Sequence, residues 1–207
     1  MDFVRPVQAV IPGVQGEILA ALAETTADLN LRTLARLAGV SVAQASRVMP
    51  TLVELGLVDR HEVPPSSQFR LNRHSIAAQM VVDLARSRDI TLERLRIAAS
   101  SLSPSPISII VFGSFARGEA DAYSDLDVVI LRPENVDEED DAWTSSIEAW
   151  RTDTRALTGN RVEVLEVSEH EAHTRFASDS SLWNDVAREG IAVHGLTIDE
   201  LLAPVHA

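Results

Sequence analysis

Apolar residues recur at helical spacing three times in the first third of the chain. Val14, Ile18, Leu19, Leu22 and Ala23 form one stripe after the Pro12-Gly13 break. Leu31, Leu34, Ala35 and Ala38 form a second, which stops at Gly39. The third, Val42, Ala45, Met49, Leu52 and Val53, starts at Ser41 and stops near Gly56; Ser41 with Gln44 three residues on is the pattern of a capping box. Two short extended runs follow, over 57–62 and 68–72, around the turn-rich Pro64-Pro65-Ser66-Ser67. The pattern then predicts helices over about 75–87 and 91–101, and Ser103-Pro104-Ser105-Pro106 must be extended or turning. Strands are expected at 107–112, 125–131 and 161–167, helices at roughly 140–157 and 179–189, and a short last strand at 191–193. No internal repeat is found.

Composition narrows the function classes. With 45% apolar residues the chain can build ordinary cores, and no run nears eighteen apolar residues, so no membrane span is expected. Without cysteine, disulfides, thiolate zinc sites and cysteine nucleophiles are excluded. The N-terminus lacks the basic and apolar regions of a secretory signal, and a cytoplasmic location is the default expectation. Residues 1–75 carry seven Arg and seven acids, so the whole net charge of −13 lies in residues 76–207. A half that acidic is not drawn to a polyanion, so any nucleic-acid surface is expected on the neutral N-terminal part.

The chemistry concentrates between residues 107 and 131. Asp125 and Asp127 alternate along an expected strand, pointing to one side about 7 Å apart. That suits a divalent cation such as Mg²⁺, which takes one or two carboxylates with phosphate oxygens and water. Gly113-Ser114 follows a buried strand and opens a short helix, where backbone N–H groups and the Ser114 hydroxyl can hold phosphate; Gly113 permits close approach because it lacks a Cβ. Taken singly, an Asp-x-Asp is an ordinary strand start and a Gly-Ser an ordinary turn. Their spacing joins them.

Gly113-Ser114, ten residues, then Asp125-Leu126-Asp127 resembles the signature of the small nucleotidyltransferases of the DNA polymerase β superfamily. The flanking Phe112, Ala116-Arg117-Gly118 and Ser124 are similar too, and Arg188-Glu189-Gly190-Ile191 is similar to a stretch of the minimal members. The resemblance implies a mixed sheet flanked by helices, a nucleoside triphosphate as substrate and two Mg²⁺ ions. It assigns Gly113 and Ser114 to the β and γ phosphates and Asp125 and Asp127 to the metals. Ser124 joins the nucleotide-binding set, and Arg117 either supports the loop or a phosphate or forms an ordinary surface ion pair. The family also carries a third carboxylate on a neighbouring strand, usually Asp. The matching position is Glu163; Glu166 points to the opposite face and is the lesser candidate.

The two-helix layout of 31–55 with a following hairpin resembles winged helix-turn-helix regulators of the MarR or ArsR kind. The fold class expected is therefore α+β: a winged helix-turn-helix domain over 1–75, a helical linker over 76–103, and a mixed-sheet nucleotidyltransferase domain over 104–207. Double-stranded DNA would bind through residues 30–73. There Gln44 and Arg47 could reach base edges, and Arg60 and Arg70, with His61 and Arg73, could meet phosphates or the minor groove. Pro50 is expected to shorten or bend the third helix. Winged helices usually pair on symmetric sites, so a homodimer is expected. His170 and His173 are three residues apart with no third ligand in view, and are read as a solvated helix start. Asp137 to Asp141 is read as the cap of the following helix. The resulting expectation is a Mg²⁺-dependent transfer of a nucleoside monophosphate to a hydroxyl of a protein or small molecule. Two other readings stand beside it: a DNA-binding regulator whose degenerate nucleotidyltransferase domain senses nucleotide, and an antitoxin with a partner toxin.

Overall fold

A computed structural model describes residues 1–203 of the chain. Two compact units emerge, Arg5–Ser87 on one hand and Met1–Val4 with Arg88 onward on the other.

The first unit holds α1 (Pro6–Val10), α2 (Val14–Ala23), β1 (Leu29–Asn30), α3 (Leu31–Leu37), α4 (Val42–Glu54), β2 (Val58–Val63), β3 (Ser66–Leu71) and α5 (Ile76–Ala85). It is a helix-turn-helix with a hairpin wing. The three apolar stripes meet in one core, with Ile18, Leu22, Leu34 and Leu52 essentially out of solvent. The expected capping box opens α4: Gln44 N–H donates to Ser41 Oγ at 3.1 Å and Ser41 N–H donates to Gln44 Oε1 at 2.9 Å. Of the two expected effects of Pro50, shortening or bending, shortening does not occur: Pro50 lies inside α4, which continues to Glu54. Proline deletes one N–H, and the buried Met49 and Leu52 on either side anchor the helix to the core. Asn30 caps α3 by accepting from Thr33 N–H. Its strand β1 pairs antiparallel with β3, Leu29 opposite Phe69, which makes the wing a three-stranded sheet in the order β1-β3-β2.

The second unit contains α6 (Ser87–Ala99), β4 (Ser108–Phe112), α7 (Gly113–Arg117), β5 (Leu126–Arg132), α8 (Asp141–Thr158), β6 (Val162–Ser168), α9 (Glu169–Phe176), α10 (Ser181–Glu189), β7 (Ile191–Gly195) and α11 (Ile198–Leu202). The sheet order is β6-β5-β4-β7; β5 and β6 are parallel, the other pairs antiparallel. This is the expected mixed sheet flanked by helices. Both faces are covered, which is why the strands read as continuous apolar runs. Ile109, Val111, Val128 and Ile130 pack on one face with Leu95, Phe115, Trp143 and Trp150. Ile110, Val129, Leu131 and Val167 pack on the other with Ala172, Trp183 and Val186. Asp140 caps α8 by accepting from Trp143 N–H at 2.8 Å, as the acid run suggested. The stretch with His170 and His173 is the start of α9, capped by a Ser168–Glu171 box. Among the described residues no helix is long and apolar enough to cross a membrane.

Ile130 is fully buried between the sheet and its helical layer. Ile130→Ala should destabilise the second unit by about 2–5 kcal/mol. All three tryptophans of the chain, Trp143, Trp150 and Trp183, lie in this unit, so their fluorescence in a urea titration reports its unfolding alone. An unchanged midpoint would contradict the packing described.

Candidate active site

The side-chain alternation that builds the two cores also delivers the carboxylates. Val128 and Ile130 face one layer, so Asp127 falls on the other side with Val129 and Leu131. In the parallel ladder Asp127 is opposite Glu163, and in the antiparallel ladder it is opposite Phe112 at the end of β4. Glu163 shares its face of β6 with Leu165 and Val167. Glu166 sits on the reverse face, where its Oε1 accepts from Trp143 Nε1 at 3.0 Å and Arg132 Nε at 2.8 Å. Asp125 lies one residue before β5, exposed, so the strand starts later than the expected 125.

The chain leaves β4 through Gly113, whose φ of +69° favours glycine. A Cβ built there would meet Asp127 Oδ2 at 2.6 Å, so the Gly113 backbone lies directly against that carboxylate. Ser114 is in the first turn of α7, which no side chain caps. Arg88, which sequence reasoning missed, holds the far end: its Nε donates to Phe115 O at 2.8 Å and its Nη2 donates to Ala116 O.

The link from α7 to Asp125 is tied down. Asp121 Oδ1 accepts from Tyr123 N–H, Ser124 N–H and Ser124 Oγ–H at 2.9–3.0 Å, which holds its carboxyl below the usual range. The Ser124 hydroxyl is therefore engaged inside the loop. Buried Asn160, also missed, donates to Asp121 O at 3.0 Å and to Ser124 O at 2.8 Å. No spacing rule could have found it, since it follows α8 and reaches back across 36 residues to Ser124.

Charge is unbalanced at Asp127. Burial pushes its carboxyl up, Asp125 and Glu163 push it further, and Arg117 opposes them. Arg117 is also ion-paired, with Glu119 at 2.7 Å and with Glu189. Glu163 Oε1 is closed off from solvent and faces the Arg161 guanidinium as an ion pair, without hydrogen-bond geometry. Among the described residues no three such ligands form a ready cation cage. The donor set fits Mg²⁺ nonetheless, because that ion needs only one or two protein carboxylates. A cation would also relieve the crowding that raises Asp127. Asp125 and Asp127 would hold it, and Glu163 would join by exchanging Arg161 for it.

On the winged helix the expected DNA residues differ in freedom. Gln44 Oε1 is occupied by the Ser41 N–H and hydroxyl. Arg60 is bonded to Ser67 Oγ and paired with Glu62 at 2.7 Å; Arg70 pairs with Asp59 at 3.3 Å. Arg73 donates to Ala23 O. Arg47 is exposed and, among the described residues, has no ion pair. The same holds for Arg32 and Arg36 on α3, which sequence reasoning passed over. A groove of about 960 Å³ belongs to this unit, between α4 and the hairpin, with Arg32 and Arg60 in its wall.

Residues 92–181 match the nucleotidyltransferase domain family, and residues 16–62 match the IclR helix-turn-helix domain. The protein thus carries a nucleotidyltransferase domain fused to an IclR-type winged helix. The second match corrects the expected MarR or ArsR kind. Helix spacing and a following hairpin are common to many winged helices, so the apolar pattern that suggested the fold could not separate its types. No curated protein matches the chain. Among solved structures, one similar chain comes from a toxin-antitoxin with AMP-PNP, at 18% identity over 56% of this chain and 77% of that one, TM-score 0.34. Another comes from a mutant of the toxin-antitoxin MntA-HpeT, at 14% identity over 54% and 78%, TM-score 0.37.

Asp127 binds its proton more tightly folded than unfolded, so its contribution to stability is full below the ordinary carboxylate pKa of about 3.9 and lost as pH rises through the raised folded value. At neutral pH the ionised carboxylate is thus a liability to the metal-free fold. Asp127→Asn should raise the melting temperature of metal-free protein at pH 7.5, with the gain shrinking towards pH 4. A lower melting temperature at pH 7.5 would refute the crowding.

Proposed function

We propose that the chain is a Mg²⁺-dependent nucleotidyltransferase that moves a nucleoside monophosphate from a nucleoside triphosphate to a hydroxyl of a protein or small molecule. One observation carries this reading: Asp127 stands opposite Glu163 across β5 and β6 while the Gly113 backbone lies against its carboxylate. That joins a glycine turn at an uncapped helix start to an acidic cluster.

The triphosphate would lie on the Gly113-Ser114 turn, with amide N–H groups and the Ser114 hydroxyl toward its outer phosphates. Arg117 would add positive charge from the end of α7. Mg²⁺, when bound by Asp125 and Asp127, supplies the charge neutralisation that lets a polyanion enter an acidic domain. The acceptor oxygen forms a bond to the α-phosphorus, the bond to the bridging oxygen breaks, and pyrophosphate leaves. Glu163 takes the acceptor's proton.

Purified protein incubated with each α-labelled triphosphate and Mg²⁺ should label itself or an added acceptor and release pyrophosphate. Asp127→Ala should lower the rate by about 10²-fold or more, in line with loss of a group that stabilises transferring charge. Tight triphosphate binding with no transfer to any acceptor would assign the domain to nucleotide sensing instead.

The winged helix, in this reading, binds duplex DNA. Arg32, Arg36 and Arg47 support it, since they are exposed and, among the described residues, without an ion pair, on a unit with no net negative charge. A homodimer would present two such surfaces to a symmetric site. The gene's own upstream duplex should shift at low salt, and Arg47→Ala should weaken that binding by about 1–3 kcal/mol. No shift at low salt would remove this part of the proposal.

A further inference from the structure

The stretch Arg188-Glu189-Gly190-Ile191 has no role in the reaction outlined above, yet it ends α10 beside the phosphate turn. The Glu189 side chain is only 10% exposed. Carboxylates are that buried only when paired. Glu189 Oε1 pairs with Arg117 Nη1, while Arg117 Nε donates to Glu119 Oε2 at 2.7 Å. Arg188 Nη2 stands 3.5 Å from the other Glu189 oxygen.

Glu189 cannot drift, because of the residue after it. A Cβ at Gly190 would lie 2.4 Å from Val186 O, 2.6 Å from Ile198 Cδ1 and 2.8 Å from Ile110 Cγ2. The end of α10 is therefore packed against β4 with no room for any side chain at 190. Among the described residues Arg117 Nη2 makes no hydrogen bond. The guanidinium is held at two nitrogens and left available at the third, and its charge is felt at Asp127.

We propose that Glu189 is a positioning residue for the nucleotide: it fixes Arg117 so that Nη2 is presented to the triphosphate. The inference rests on reading the carboxylates and the Gly113-Ser114 turn as a triphosphate site. An untethered arginine gives up side-chain freedom when it meets a phosphate, whereas a tethered one has already done so. Repulsion between Glu189 and the phosphates works against this, but is muted by the contacts of Glu189 with both Arg117 and Arg188.

The test is calorimetric titration of the full chain, with Mg²⁺, using non-hydrolysable analogues of ATP, GTP, CTP and UTP, paired with steady-state kinetics. Glu189→Gln should weaken binding of the preferred analogue about tenfold and raise KM by a similar factor, leaving kcat within about twofold. Glu189→Asp should recover part of the loss. Arg117→Ala should lose as much as Glu189→Gln, and the double variant no more than either alone. Melting curves establish that each variant is folded; if Glu189→Gln is not, partial weakening in Glu189→Asp at unchanged kcat carries the test. Equal or tighter binding in a folded Glu189→Gln, or additive losses in the double variant, overturns the proposal. If the wild type takes up no triphosphate, the site reading falls with it; if the wild type binds and Glu189→Gln matches it, only the role of Glu189 falls.

Discussion

The two-residue alternation along β5 governs both the packing of the C-terminal unit and the position of its acids. Val128 and Ile130 must enter one core, Val129 and Leu131 the other, and that fixes the face on which Asp127 emerges. A slip of one residue would bury the carboxylate among Trp143, Trp150 and Phe115. The hydrophobic effect thus sets the register, and the register sets the electrostatics. The strain this leaves is local: a half-buried carboxylate facing two like charges, opposed by one arginine.

Much of this was legible in the residues. The apolar stripes of α2, α3 and α4, the Ser41 box and the long runs of β4, β5 and β6 are strong periodic signals, and each element formed within a few residues of its expected place. The Gly113-Ser114 to Asp127 spacing is local, so it survived translation into three dimensions. What stayed hidden were contacts without a local signature. Asn160, Arg88 and Glu189 reach partners 36, 27 and 72 residues away. Two of those three bond to backbone carbonyls, which carry no sequence identity at all. β1, α1 and α11 are too short for any period to show. The type of winged helix was misread for a related reason, since an apolar pattern specifies an architecture shared by many types.

The two units divide their electrostatic labour. In the first, the wing arginines Arg60 and Arg70 are neutralised by neighbouring acids, whereas Arg32, Arg36 and Arg47 are exposed and, among the described residues, have no ion pair. In the second, acids outnumber arginines by more than two to one, so an anion meets a favourable potential only where fixed cations and backbone amides are concentrated.

β6 is an outermost strand of its sheet, while β5 is interior. The acidic cluster therefore straddles two levels of mechanical security: Asp127 lies on a strand paired on both sides, whereas Glu163 rides on a strand paired on one side only. Peripheral strands tend to open before the centre does. Detachment of β6 would carry Glu163 out of the acidic cluster while the rest of the sheet stayed intact, so any function that needs all three carboxylates should be lost to heat or denaturant ahead of global unfolding.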